Sequence, residues 1–479
     1  MSPELEQLLA EIEAGPKGPE VGAFFDFDGT LIAGYSGMVF FRDRIRRLQV
    51  SAGDLARSAL AGLDMEFRGA DVSKLMSVWV GGWAGRREDE LEELGERLFV
   101  KHIADLVYPE ARALVKAHER MGHTIALASS ATRFQAWPLA RDLGVELLCT
   151  PVEVAKGVVT GRLGGPILWG EGKAKAVRDF AAHRGIDLAQ SYAYGNGDED
   201  VPFLEVVGRP RPLNPQGGLV EVARERGWPL INFATRGGRP GLSEVVRTGA
   251  ALSGLMTATA VGAGIALLNR NRRQGANVMS SIGPNLVLAL AGVEVRVVGE
   301  ENVWSHRPAV FLFNHQSNFD IFVLGHLLQR DFSGVAKKEA ARDPFFAPMG
   351  YLTDVAYVDR GNTTQAKEAL APAVDRLRKG ISIAVAPEGT RSATPTVGPF
   401  KKGAFHMAMQ ADVPVVPIVI RNAGELMGRS AKVMKPGVID VAVLEPIPTR
   451  AWKAEDLDAH VAEVRQRYVD TLENWPAPD

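Results

Sequence analysis

Val21-Gly22-Ala23-Phe24-Phe25 runs directly into Asp26-Phe27-Asp28-Gly29-Thr30. An apolar run ending in a polar turn reads as a short strand buried on both faces, with the turn at its C-terminal end. The same unit returns twice: His123–Ala128 leads into Ser129-Ser130, and Tyr192–Tyr194 into Gly195-Asn196-Gly197-Asp198-Glu199-Asp200. Lys173–Ala182, between them, has helical spacing. Strands alternating with helices predict an α/β fold with a parallel sheet. The polar clusters then fall at the C-terminal ends of strands, where such sheets place their sites. From about Val39 to Tyr108 the chain is rich in Leu, Ala, Arg and Glu at helical spacing, as in Asp89–Val100, which predicts a helical cap inserted between the first two strands.

The rhythm restarts in the second half. Ala309–Phe313, Gly334–Ala336, Asp354–Val358, Ile381–Ala386 and Val415–Ile420 read as strands, each followed by a polar or glycine-containing turn. After Trp452 one amphipathic helix is expected through Leu457, Val461, Val464 and Tyr468, ending before Pro476. Between the halves, Gly249–Leu268 carries no charge over twenty positions, enough to cross a bilayer by length. Its glycines, serine and threonines dilute that apolarity, and Arg270, Arg272 and Arg273 follow at once. A second apolar stretch, Ile282–Leu290, is expected to be broken early by Gly283-Pro284. Two short apolar helices with a basic connection read as lying in the membrane interface, the arginines facing anionic headgroups, with a soluble interdomain helix packed by small residues and a spanning helix as the alternatives. The expected division is therefore 1–245, an apolar and basic helical linker over 246–290, and 291–479.

Composition narrows the function. Across 479 residues, 55 basic side chains against 57 acidic ones leave a net charge of −2, which argues against wrapping nucleic acid. The single cysteine, Cys149, cannot form an internal disulfide, and no Cys/His cluster stands ready for zinc, so a reducing compartment is expected. The acidic N-terminus, with Glu4, Glu6, Glu11 and Glu13, does not read as a signal peptide.

Two carboxylates on one tight turn can divide nucleophilic and acid/base work. Asp26 suits attack on a phosphoryl group and Asp28 protonation of the leaving oxygen, with Mg²⁺ offsetting the crowded negative charge. Ser129 and Lys173 suit binding of phosphoryl oxygens. The run Asp26 to Thr30 resembles the first motif of the haloacid dehalogenase-like phosphatases, particularly their phosphoserine phosphatase-like branch. Ser129 resembles the second motif, Lys173 the third and Tyr194–Leu204 the fourth, over about residues 20–235. The resemblance implies a Rossmann-like domain with a helical cap (about 39–108) and a Mg²⁺ site drawn from Asp26, Asp28, Asn196 and Asp200. One departure matters: the family has an Asp where Asn196 stands, and a neutral amide attracts a hard dication less than a carboxylate does. Weak or absent phosphatase activity is the expectation, with Asp198 close enough in sequence to substitute.

Asn314-His315-Gln316-Ser317-Asn318-Phe319-Asp320 follows a predicted strand. His315 can remove a proton from a hydroxyl while Asp320, folded back across the turn, orients the imidazole; this is triad logic without a protein nucleophile. Downstream, Gly389 in Pro387-Glu388-Gly389-Thr390-Arg391-Ser392 lets the backbone approach an anion, and Arg391 supplies a planar fork for phosphate oxygens. Asp359-Arg360-Gly361 offers another arginine, Lys401-Lys402 ammonium charge, and Val413–Ile418 an apolar wall. Base, phosphate clamp and apolar wall together describe a lipid phosphate bearing a free hydroxyl.

These blocks, with Val358-Asp359-Arg360 second and Val413–Ile418 fourth, resemble the glycerolipid acyltransferases of the lysophosphatidic acid kind over about residues 285–450. The resemblance implies a C-terminal α/β acyltransferase domain with His315 as general base and Asp320 as its orienter. It implies that Arg360, Glu388, Gly389, Thr390 and Arg391 hold the acceptor phosphate, with Lys338 near the entrance. It further implies acyl-CoA or acyl-carrier protein as donor and no metal for this step. The leading expectation is acyl transfer to 1-acylglycerol 3-phosphate, giving phosphatidate. Two alternatives are a Mg²⁺-dependent phosphomonoesterase as the main activity, and a first half that serves only as a docking module. Expected partners are lysophospholipid, acyl thioester and a membrane surface met through about 249–290, with no nucleic acid and a homo-oligomer allowed. The expected location is the cytoplasmic side of the membrane, peripheral or partly inserted.

Overall fold

In the computed structural model, which describes residues 3–47, 72–233, 240–343, 346–358, 371–429 and 431–477, the run after Val21 forms strand β1 (Gly22–Phe25), all four residues buried. The chain divides into two compact units, residues 1–238 and 239–479. The first unit adds β2 (Thr124–Thr132), β3 (Glu146–Thr150), β4 (Val152–Ala155), β5 (Val158–Leu163), β6 (Tyr192–Gly195) and β7 (Arg209–Pro212). Among the described residues one sheet runs β3-β2-β1-β6-β7, every neighbouring pair parallel, while β4 and β5 form a separate antiparallel hairpin. A central strand with neighbours on both edges and helices over both faces needs continuous apolar sequence, which Gly22–Phe25 supplies. Phe25 pairs with Leu127 on one side and Tyr194 on the other, so the turns after all three strands emerge at one end.

The helix Glu171–Arg184 opens with an acidic residue in its first turn and stops at Gly185, whose φ of +69° suits a residue without a side chain. Of the expected cap, the helices Ser36–Arg46, Val72–Gly81 and Glu88–Leu98 are described; residues 48–71 lie outside the described residues.

The second unit holds β8 (Val293–Val298), β9 (Val310–Phe313), β10 (Phe332–Lys337), β11 (Ala356–Val358), β12 (Ser382–Val385), β13 (Val415–Arg421) and β14 (Gly437–Val443). Their order is β11-β10-β12-β9-β13-β14-β8, parallel throughout except for the β13–β14 pair. The last helix, Leu457–Glu473, buries Leu457, Val461, Val464 and Tyr468, the stripe expected from its spacing.

The apolar segment between the halves forms two long helices, Leu242–Leu268 and Arg272–Ala291, packed against each other. They run antiparallel: a side chain added at Gly262 or Gly275 would collide with the other's carbonyl, and one at Gly254 would meet Leu286 and Leu290. Ala251, Leu255, Val287, Leu288 and Ala291 join the same buried cluster as Phe311, Phe319 and Ile418, so this segment is built into the second unit's core. Each large apolar side chain so buried contributes about 1.5–3 kcal/mol. Pro284 does not break the second helix, contrary to expectation. Its ring sits over Gly325 of the helix Phe319–Leu328, where any side chain would clash with it, and the Asn285 side-chain amide donates to the Ser281 carbonyl at 2.7 Å. Close packing of the ring against Gly325 lets the helix continue through the missing N–H.

Candidate functional site

In the first unit Asp26 follows β1, its amide donating to the Tyr194 carbonyl at 2.8 Å. Lys173, 2 % exposed, lies between two carboxylates, with Nζ 2.7 Å from Asp26 Oδ1 and 2.6 Å from Asp200 Oδ1. Burial pulls the Lys173 ammonium down, but Asp200 and Asp26 outweigh it and hold the group well above its ordinary value. Burial, opposed by Lys173 and assisted by Asp200, raises Asp26 to about 7. Asp28 is raised to about 6 by burial despite the Ser36 amide and hydroxyl, which donate to its two oxygens at 2.7 and 3.0 Å. A carboxyl in that range holds a proton it can give to a leaving oxygen near neutral pH. Sequence spacing carries no hint of Ser36.

The Thr30 hydroxyl lies 3.2 Å from both Asp26 Oδ2 and Asn196 Oδ1, so these two oxygens converge. Asp200 Oδ2 accepts from the Asn196 and Gly197 amides at 3.0 and 3.4 Å, which together with Lys173 occupies both its oxygens. Of the four expected metal ligands, then, Asp26 and Asn196 offer convergent oxygens, while Asp28 is turned to Ser36 and Asp200 to Lys173. Among the described residues no group of three His, Cys, Asp or Glu side chains is placed to hold a metal ion. One carboxylate and one amide oxygen still fit Mg²⁺, which keeps several waters and takes further oxygens from substrate phosphate. Ser129, 1 % exposed, closes the regular part of β2 and accepts from the Ala131 amide at 3.0 Å.

In the second unit two turns leave adjacent strands of one sheet, since Leu312 of β9 pairs with Val385 of β12. Asn314, 1 % exposed, exchanges two hydrogen bonds with Ile420, donating to its carbonyl at 2.8 Å and accepting from its amide at 2.7 Å. The turn bearing His315 is thereby pinned to β13. His315 Nδ1 lies 2.8 Å from Asp320 Oδ2, which also accepts from the Gln316 and Ser317 amides at 2.8 and 2.9 Å. A carboxylate accepting at Nδ1 fixes the proton there and leaves the lone pair on Nε2. Asp320 is fully buried, whereas the His315 side chain keeps 20 % of its surface exposed.

The turn after β12 is bonded directly to this histidine. Ser392 N donates to the His315 carbonyl at 2.7 Å, and His315 N donates to Glu388 Oε1 at 3.1 Å. Glu388 Oε2 accepts from the Gly398 amide at 2.9 Å. Burial raises the Glu388 carboxyl against these two hydrogen bonds. Glu388, expected among the phosphate ligands, therefore spends both oxygens on backbone amides and holds the turn; like-charge repulsion also makes a carboxylate a poor phosphate ligand. Gly389 has a φ of +76°, and Lys401 Nζ lies 3.0 Å from where its side chain would start, placing an ammonium over the turn. Arg391 donates to Asn318 Oδ1 at 2.9 Å and to the Arg429 carbonyl at 3.1 Å, and Arg429 donates back to the Arg391 carbonyl at 3.0 Å. Arg429 was not legible from the sequence, because it follows β13 without a spacing signal. Thr390 occupies the same turn, Lys338 opens the short helix Lys338–Arg342, and Arg360 lies outside the described residues.

Of the arginines expected to face a membrane, Arg272 donates to the Tyr351 and Leu352 carbonyls and to Asp354 at 3.1 Å. Arg273 bonds Asp331 at 2.8 Å. Arg272 and Arg273 are thus tied to groups of the second unit with their side chains still 43 and 40 % exposed, and Arg270, two positions after Leu268, is exposed.

The haloacid dehalogenase-like hydrolase family matches residues 23–205, and the acyltransferase family matches residues 294–421. Over the first half the chain is 34% identical to phosphoserine phosphatase SerB1 of Mycobacterium tuberculosis, across 48% of this chain and 77% of that protein. Over the second it is 40% identical to an uncharacterized acyltransferase of Schizosaccharomyces pombe, across 34% of this chain and 60% of that one. It is also 36% identical to a 1-acyl-sn-glycerol-3-phosphate acyltransferase of Saccharomyces cerevisiae, across 38% of this chain and 61% of that one. The chain thus spans about six-tenths of the length of these two acyltransferases.

Proposed function

The chain belongs to the haloacid dehalogenase-like hydrolases through its first half and carries an acyltransferase domain in its second; from that premise we propose that it transfers an acyl group from a thioester to the free hydroxyl of 1-acylglycerol 3-phosphate. The observation that carries this reading is the bonding of the Glu388–Ser392 turn to the His315 backbone, which puts a base and an anion-binding turn in one frame. His315 Nε2 takes the hydroxyl proton as the oxygen attacks the thioester carbonyl. The carbon–sulfur bond then breaks and the departing thiolate recovers the proton, giving phosphatidate and a free thiol. Asp320 orients the ring through Nδ1 and stabilises the imidazolium. The Gly389 backbone, Thr390, Arg391 and Lys401, with Arg360, hold the acceptor phosphate. Coenzyme A or a carrier protein supplies the acyl group. Thiol release dependent on 1-acylglycerol 3-phosphate, and not on glycerol 3-phosphate, tests the assignment.

The acceptor and product both partition into bilayers, and the helical pair suits a site at that surface. Leu267 and Leu268 are 80 and 85 % exposed at the end of the first helix, and Val261 and Ile282 are about half exposed. The helix Leu242–Leu268 is long and apolar enough to cross a membrane, but its place in the core beside Phe311 favours peripheral docking. Leu267 and Leu268 would supply the apolar part of the contact and the exposed Arg270 a positive charge beside it, while Arg272 and Arg273 are paired with Asp354 and Asp331.

For the first half we propose phosphomonoester hydrolysis, favoured by the buried Asp26–Lys173–Asp200 chain. Asp26 attacks phosphorus, the ester oxygen leaves with the proton of Asp28, and water then releases inorganic phosphate and free Asp26. Asp26 and Asn196 would hold Mg²⁺, which when bound supplies charge neutralisation at the phosphoryl group. Phosphate release that disappears in Asp26→Asn tests this second activity.

A further inference from the structure

Phe25 of β1 and Tyr192 and Tyr194 of β6 project from one face of the first sheet, with Tyr194 stacked on Phe25 at 4.3 Å between ring centres. Against them lies a buried chain of titratable groups that neither proposed reaction uses. His118, in the helix Pro109–Arg120, is fully buried; its Nε2 lies 2.7 Å from the Tyr194 hydroxyl and its Nδ1 2.8 Å from His123 Nδ1. His123, 7 % exposed, reaches the Pro16 carbonyl with its Nε2 at 2.8 Å.

That carbonyl fixes every proton in the chain. Pro16 can only accept, so His123 carries its hydrogen on Nε2 and, when neutral, presents a lone pair at Nδ1. His118 then donates from Nδ1, which leaves a lone pair on its Nε2 for the Tyr194 hydroxyl to meet as donor. An added proton has one place to go. His123 Nε2 keeps its hydrogen for Pro16, and the gap between the two Nδ1 atoms holds a single hydrogen, so the newcomer sits on His118 Nε2. However the charge is shared between the rings, the His118–Tyr194 bond is reversed. The hydroxyl must now accept, and its own hydrogen finds no other partner among the described residues. A buried donor without an acceptor is costly.

Tyr194 carries that cost to the carboxylate site. Its carbonyl accepts from the Asp26 amide at 2.8 Å, its ring lies against Phe25, the residue before Asp26, and Asn196 follows two positions later.

We propose that His118 and His123 are positioning residues that form an acid switch: while neutral they hold Tyr194 and the strand ends bearing Asp26 and Asn196, and one proton taken up by the pair releases them. Arg209 and Glu20 face His123, while Arg211 and Glu11, paired at 3.2 Å, lie beside Tyr194. Arg209 also bonds the Tyr192 hydroxyl at 2.6 Å. Burial pulls both rings down, His118 to about 3 with His123 adding to it, while the Pro16 carbonyl and Glu20 oppose the shift at His123. Both folded values lie below the ordinary 6.5, so the neutral pair contributes stability that is whole above that pH and is lost as pH falls through the folded values. The effect on phosphate release rests on the hydrolytic reading of Asp26; the reversal of the hydrogen bond does not.

The test compares the full-length chain with His123→Gln, whose amide can donate to Pro16 and accept from His118 but does not titrate. Magnetic resonance of wild type with isotope-labelled histidine and tyrosine is expected to show, at about pH 8, one neutral histidine protonated on Nδ1, a signal missing from His118→Gln. Between about pH 8 and about pH 5 a tyrosine ring signal, missing from Tyr194→Phe, should move together with that histidine in wild type and stay still in His123→Gln. Phosphate release from 4-nitrophenyl phosphate in Mg²⁺ should be alike in the two chains at about pH 8 and about threefold or more higher in His123→Gln at about pH 5. Titration of Asp26 and Asp28 is common to both chains and cancels in that ratio. The wild-type spectra decide the matter even where a variant fails to fold. A His118 protonated on Nε2 at about pH 8, a Tyr194 signal indifferent to pH, or a flat activity ratio overturns the proposal. A Tyr194 signal that moves with the histidine in a chain that releases no phosphate at any pH would leave the switch standing and end the hydrolytic reading.

Discussion

Ser392 donates its amide hydrogen to the carbonyl of His315 at 2.7 Å, across 77 positions of sequence. Glu388 closes the loop from the same turn by accepting from His315 N at 3.1 Å. The turn proposed to hold the acceptor phosphate and the turn that carries His315 are therefore one hydrogen-bonded body. A shift in either is transmitted to the other without a moving part.

Glu388 gives the sharpest separation of positioning from binding. Glu388→Ala leaves the His315 and Gly398 amides without acceptors, at a cost of about 1–3 kcal/mol per buried group. The expected outcome is a fall in kcat with little change in KM for the acceptor, and partial recovery in Glu388→Gln, whose amide oxygen can still accept. A rise in acceptor KM alone would return Glu388 to the phosphate site.

Gly389→Ala should act on KM instead. A side chain at a φ of +76° costs about 1–2 kcal/mol and displaces Lys401 from its position over the turn. Weaker binding of 1-acylglycerol 3-phosphate, read from initial rates at fixed acyl-CoA, is the expected result.

Lys173→Met leaves Asp26 and Asp200 facing each other in a dry site. Removing one partner from a buried ion pair typically costs ~3–5 kcal/mol. The first unit's unfolding transition should move to lower denaturant while acyl transfer persists at moderate temperature. An unchanged transition would show that water already screens the pair.

The membrane contact is expected to be hydrophobic. Replacing Leu267 and Leu268 together by Asp should abolish flotation with phosphatidylcholine vesicles. Raising the salt concentration should change wild-type flotation on these uncharged vesicles little, because the contact then rests on the exposed leucines.

Sequence reading located the strands that carry the chemistry, because a strand inside a parallel sheet is apolar throughout and its C-terminal turn is polar. It missed the margins. β7 contains Pro210 and Pro212, which speak against a strand unless it lies at a sheet edge, as this one does. β8 alternates in the period of a half-exposed strand, Val293-Glu294-Val295-Arg296-Val297, and β14 is a mainly apolar run, Gly437–Val443, interrupted by Asp440. Pro284 was read as a breaker because the glycine that receives its ring, Gly325, lies forty-one positions away. The roles of Ser36, Asn318 and Arg429 depend on tertiary neighbours, and no local spacing encodes them. Glu388 was legible as a site residue, but the direction of its carboxylate was not.

The most direct test of the acyl transfer proposal is thiol release by His315→Ala in the full chain, with 1-acylglycerol 3-phosphate and acyl-CoA. Removal of a general base predicts a loss of about 10²–10⁴-fold with an unchanged circular dichroism spectrum and unchanged phosphate release by the first half. A folded His315→Ala chain that releases thiol at the wild-type rate would contradict the assignment of this imidazole as the base.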